Sequence, residues 1–100
     1  MKSILQDKEN GFCLLCLALH HDGSRKITEE HHVMFGTADR KISEKHGLKV
    51  YLCPDHHRTG KEAVHRDKDI DNALRRMAQR VFERERGHEE WMRLFGKNYL

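Results

Sequence analysis

The sequence predicts an α+β domain whose front half is short strands and loops gathered around metal and whose back half is helical. Three observations lead there. Cysteines and histidines recur in paired x2 spacings before residue 68, Gly11, Gly23, Gly36 and Gly47 cut that region into short runs, and an apolar stripe at helical spacing begins after Asp69. The 100 residues fit a single domain, 1–100, with 10–68 as its metal-framed part and 69–96 as its C-terminal helices. Hydrophobic residues are 37% of the chain and charged residues 35%. That balance leaves little apolar material for an independent core in 10–68, so a bound metal is expected to fix it.

Taken in order, Phe12-Cys13-Leu14-Leu15-Cys16, Ile27 to Met34 and Leu48 to Cys53 are the strand-like runs. Beyond them, Ile70, Leu74, Met77, Val81 and Phe82 mark an amphipathic helix of about four turns, with Asp69 as N-cap and Gly87 just past its end. A shorter helix, His88 to Phe95, buries Trp91, Leu94 and Phe95 and stops at Gly96. The stripe reads as core packing. Arg75, Arg76, Arg80, Arg84 and Arg86 interleave with acids and read as a solvated helix face.

Three cysteines cannot all pair, and the first eight residues lack the apolar run of a secretory signal, so a reduced, cytoplasmic chain is expected. No run approaches the roughly 18 apolar residues that cross a bilayer, and no membrane partner is expected. The formal net charge of +3 is compatible with a nucleic-acid partner.

Cys13-Leu14-Leu15-Cys16 is a C-x2-C knuckle and Cys53-Pro54-Asp55-His56 a C-x2-H knuckle. Three thiolates and one imidazole satisfy tetrahedral zinc and leave no open position, which is the chemistry of a structural ion. The 36 residues between the knuckles must then have an occupation of their own. If His56 binds that zinc, the side chain of His57 points elsewhere and is free for a second group with His31, His32 and His65. Three imidazoles can hold a divalent ion with positions left for water and a phosphate oxygen, while a fourth takes a proton from that water. His20-His21 read as a hydrated loop, and His46 and His88 as surface or helix-packing residues.

Glu30-His31-His32-Val33, then Leu52-Cys53-Pro54-Asp55-His56-His57 and His65, resemble the HNH endonucleases, and residues 36–57 are similar to small HNH-like proteins carried by phages and prophages. The resemblance implies a ββα-metal unit followed by helices, with His32 as general base and His31, His57 and His65 as ligands of a second divalent ion: Mg2+, Mn2+, Ni2+ or Zn2+. In the family, the last two ligands often lie three residues apart on one helix face. Here seven residues intervene, so a loop must return His65. The middle asparagine is missing from its usual place, and Asp39 is expected to orient an imidazole instead. DNA is the implied substrate, with other phage DNA-processing proteins as possible partners.

Lys26, Arg40, Lys41, Lys45, Lys49, Arg58 and Lys61 are the residues expected to meet phosphates, with little base readout. The alternative is a non-catalytic zinc module that binds DNA or protein on the same fold. A weaker third reading, an assembly factor docking through Trp91–Phe95, rests on that segment being exposed.

Overall fold

In the computed structural model, which describes residues 1–100, a 3-10 turn (Lys8–Asn10) precedes α1 (Leu14–His20), β1 (Glu29–His32), α2 (Asp39–Lys45) and β2 (Lys49–Leu52). A π-helical turn (Asp55–Thr59), α3 (Lys68–Arg86) and α4 (His88–Phe95) follow. The architecture is α+β. β1 and β2 form one antiparallel pair in which Glu29 faces Leu52 and His32 faces Lys49. All four β2 residues are buried. The outer edge of β2 is covered by the N-terminal segment: Gln6 Oε1 accepts from the Tyr51 N–H at 2.8 Å, and Gln6 Nε2 donates to the Phe12 carbonyl at 2.9 Å. This meets the need to pair an exposed strand edge.

The Phe12–Cys16 run is not a strand. Cys13 is extended and its Sγ accepts from the Cys16 N–H at 3.4 Å, so the knuckle caps α1, which ends where His21 turns left-handed at φ 53°. Five apolar residues in a row carry no period that separates strand from helix, and here the cap decides. α2 was not anticipated between the strands, because Ile42 is the one apolar residue in its seven. What holds α2 is Ser43, fully buried, which accepts from the Met34 N–H at 3.3 Å and donates to the Leu48 carbonyl.

α3 starts earlier than expected. Asp67, not Asp69, caps it, accepting from the Asp69 and Ile70 N–H groups at 2.9 and 3.3 Å, and the helix runs 19 residues to Gly87. α4 has the predicted bounds, with Trp91 buried, Leu94 and Phe95 partly so, and the Trp91 Nε1–H donating to the Lys97 carbonyl at 2.8 Å. Trp91 is therefore core rather than a docking face. The front half has no core of its own: Val33, Met34, Leu48, Val50 and Leu52 share one apolar cluster with Leu74, Ala78, Phe82 and Trp91, and the cysteines lie in it. Arg75 departs from the solvated face too. Its side chain is 12% exposed, bonded to Asp71 and Tyr99 and stacked 4.6 Å from the Phe35 ring centre.

Candidate metal centres

The Sγ atoms of Cys13, Cys16 and Cys53 and Nδ1 of His56 converge from the start of α1, the end of β2 and the π-helical turn. His56 Nδ1 lies 3.6, 3.3 and 3.5 Å from the three sulfurs, and Cys16 Sγ lies 3.8 Å from Cys53 Sγ. Zn–S bonds of about 2.3 Å and Zn–N bonds of about 2.0 Å make a tetrahedron with edges of about 3.8 Å (S–S) and about 3.5 Å (S–N). The four donors thus sit at the corners zinc requires, and all four residues are buried, consistent with a structural Zn2+. Burial, then the neighbouring Cys13 and Cys53 thiols, push the Cys16 thiol up to about 12, so metal binding must displace its proton.

The turn after Cys53 separates the two neighbouring histidines. The His57 N–H bonds the Cys53 carbonyl at 2.9 Å and the Gly60 N–H closes back on Asp55 at 2.8 Å. Gly60 is required by that closure, since a Cβ there would lie 2.8 Å from the Asp55 carbonyl oxygen. Successive side chains on a helical turn leave at roughly 100° to one another, which sends His56 to the sulfurs and His57 away from them. The Val64 N–H, bonded to the His56 carbonyl at 2.8 Å, folds the following loop back.

That loop returns His65 to His57, with their Nε2 atoms 3.2 Å apart, and the His31 ring completes a triangle with centre separations of 5.2 Å to His57 and 5.0 Å to His65. His31, His57 and His65 offer donor atoms within 4.8 Å of one another, the first two buried and His65 exposed. The His31 Nε2 is buried with no hydrogen-bond partner. Burial first, then the charges His65 and His57 would carry, push the His31 imidazole down to about 3, and burial followed by His57 lowers His65 as well. Both shifts favour the neutral ring at His31 and His65, the form in which imidazole binds a cation. Glu29 supplies what Asp39 was expected to give: its Oε1 sits 2.7 Å from His57 Nδ1 and so leaves Nε2 for the triad. Glu29→Gln is therefore expected to weaken binding of an ion at the triad about 10–100-fold by calorimetry, with the Cys3His ion unchanged.

Strand alternation sorts the rest. Glu29 and His31 leave one face of β1, Glu30 and His32 the other. His32, 9% exposed, has its Nε2 2.8 Å from Glu44 Oε1 and 3.5 Å from Glu30 Oε1, apart from the triad. The His32 contact, the chain's amino terminus and Lys49 hold the Glu44 carboxyl down to about 2. Arg40, Lys41, Thr37 and Gly36 line the groove of about 600 Å³ over His32. Asp39 opens α2 and contributes to none of the imidazole hydrogen bonds. Of the expected phosphate-binding cations, Lys49 is 8% exposed and paired with Glu44 and Glu30, and Lys26 is paired with Asp22 at 3.0 Å. His20 is no loop residue: it ends α1, stacks on His56 and pairs with Glu62 at 2.7 Å. His46 packs on Phe82 and His88 pairs with Glu83.

Fold and site together define a small α+β domain with a buried Cys3His group and a separate cluster of three imidazoles. No protein-family model, curated protein or solved structure matches the chain. No helix is long and apolar enough to cross a membrane.

Proposed function

We propose that this chain is a metal-dependent DNA endonuclease of the HNH type, a ββα-metal unit in which β1, the π-helical turn and the loop that follows it carry the ligands of the catalytic ion. The observation that carries the reading is the convergence of His31, His57 and His65, with a buried unpaired nitrogen on His31 and an exposed side at His65. A divalent cation bound there would offset charge developing on the scissile phosphate and the leaving 3′ oxygen. All-imidazole donors suit nickel, zinc and manganese better than magnesium, which prefers oxygen.

This chain's own residues do the remainder. β1 has no strand on its outer edge, so a phosphate lying across that edge is reachable from both faces. His32 takes a proton from a water; the water oxygen bonds to phosphorus, the P–O3′ bond breaks, and the 3′ oxygen is protonated by solvent. Arg40 and Lys41, exposed beside His32, meet backbone phosphates without reading sequence. The test is nicking of supercoiled plasmid across magnesium, manganese, nickel, cobalt and zinc. Nicking is expected with at least one ion, and His32→Ala is expected to slow it about 10²–10⁴-fold. Silence with every ion overturns the reading. The second reading, a zinc module that binds DNA or protein without cutting, is favoured by one observation: His32 lies on the face of β1 opposite His31.

A further inference from the structure

We propose that Glu44 is the positioning residue for His32, accepting the imidazole Nε2–H and so leaving Nδ1 as the ring's proton-accepting nitrogen. As a statement about catalysis this rests on the endonuclease reading; as a statement about tautomer it stands alone.

The geometry is specific. Glu44 Oε1 is 2.8 Å from His32 Nε2, inside hydrogen-bond range, whereas the other nearby carboxylate, Glu30, is 3.5 Å away. A carboxylate only accepts, so the shared proton lies on the imidazole nitrogen facing it. Glu44 is itself fixed from the far side: Lys49 Nζ donates to its Oε1 and Oε2 at 3.1 and 3.2 Å, and Lys49 is held between Glu44 and Glu30 with its side chain 8% exposed. His32 is packed in place with 9% of its side chain exposed. The ring therefore has one fixed nitrogen and one left over, the arrangement a base needs: an acid group that orients it and sets its tautomer without entering the reaction. Glu44 sits near the end of α2, the helix that Asp39 opens, and orients an imidazole as Asp39 was expected to.

The experiment uses the zinc-loaded full chain labelled with 15N, read by long-range proton–nitrogen correlation of the histidine rings at a pH raised until the ring nitrogens show the neutral form. His32→Ala identifies the His32 signals. Wild type is expected to show His32 as the Nε2–H tautomer alone, and Glu44→Ala a mixture of both tautomers. Glu44→Gln, which keeps an acceptor oxygen, is expected to recover most of the ordered form. In plasmid nicking, Glu44→Ala is expected to lower kcat about tenfold or more with KM changed less than twofold. Far-UV circular dichroism and zinc content check that each variant folds, and Glu44 is on the surface, with 41% of its side chain exposed. A single Nε2–H tautomer retained in folded Glu44→Ala overturns the proposal, as does unchanged kcat in an actively nicking preparation. If wild type nicks nothing while the tautomer mixes in Glu44→Ala, the endonuclease reading falls and the positioning role stands.

Discussion

Protein stripped of zinc by a strong chelator, or carrying Cys16→Ser, is expected to lose its helical circular dichroism and its tertiary structure together. The four donors tie the start of α1 to the end of β2 and the π-helical turn, and three of them come from the apolar cluster itself. Without the ion, three thiols and an imidazole remain buried against one another with only weak sulfur contacts to satisfy them. Structural zinc contributes about 10–16 kcal/mol in small domains, as much as the whole stability of a typical fold at about 5–15 kcal/mol. The measurement is ellipticity at 222 nm followed beside zinc release to a chromogenic chelator. Coincident curves are the expected result. A chain that keeps its signal after losing zinc would show that the cluster joining Val33 and Leu48 to Phe82 and Trp91 suffices alone.

His57→Ala and His56→Ala are expected to fail in opposite ways although the two residues are neighbours. His56→Ala removes a donor from the closed tetrahedron and unfolds the chain as the cysteine variant does. His57→Ala leaves that tetrahedron intact and removes the central member of the triad, the one Glu29 orients. Expected metal content is therefore one zinc per chain in His57→Ala, with calorimetric binding of nickel or manganese at the triad and plasmid nicking both abolished. Loss of the tightly held zinc from His57→Ala would mean that both rings serve one ion, and the separation of the two centres would be wrong.

Ligand identity was legible because it resides in residue type and spacing: two x2 knuckles name Cys13, Cys16, Cys53 and His56 without any fold. The partners of the imidazoles were not, because the chain has 16 acids and a carboxylate's role depends on where it lands. Glu29 does have a sequence signal once β1 is placed, since residues 29 and 31 share a face and Glu29 therefore lies on the triad's side of the strand. Glu44 has none: it comes from α2, and alternation along β1 offers Glu30 to His32 instead. Asp39 is the carboxylate expected to stand in for the missing asparagine, but it opens α2, a helix that no apolar stripe announces, and it bonds no imidazole. The start of α3 slipped because Asp67 and Asp69 are both good N-caps, and only the chain's path out of the His65 loop selects between them.

The bend at His56-His57 divides the Cys3His group from the imidazole cluster at a single peptide bond. Its length is therefore constrained more tightly than its composition. Asp55 and Arg58 can vary at the surface, but one residue inserted between the histidines would rotate every later side chain by about a quarter turn. That would carry His57 out of its triad and pull the returning loop with it. A one-residue insertion at this bend is therefore expected to cost the fold far more than one in the mostly exposed segment between α1 and β1.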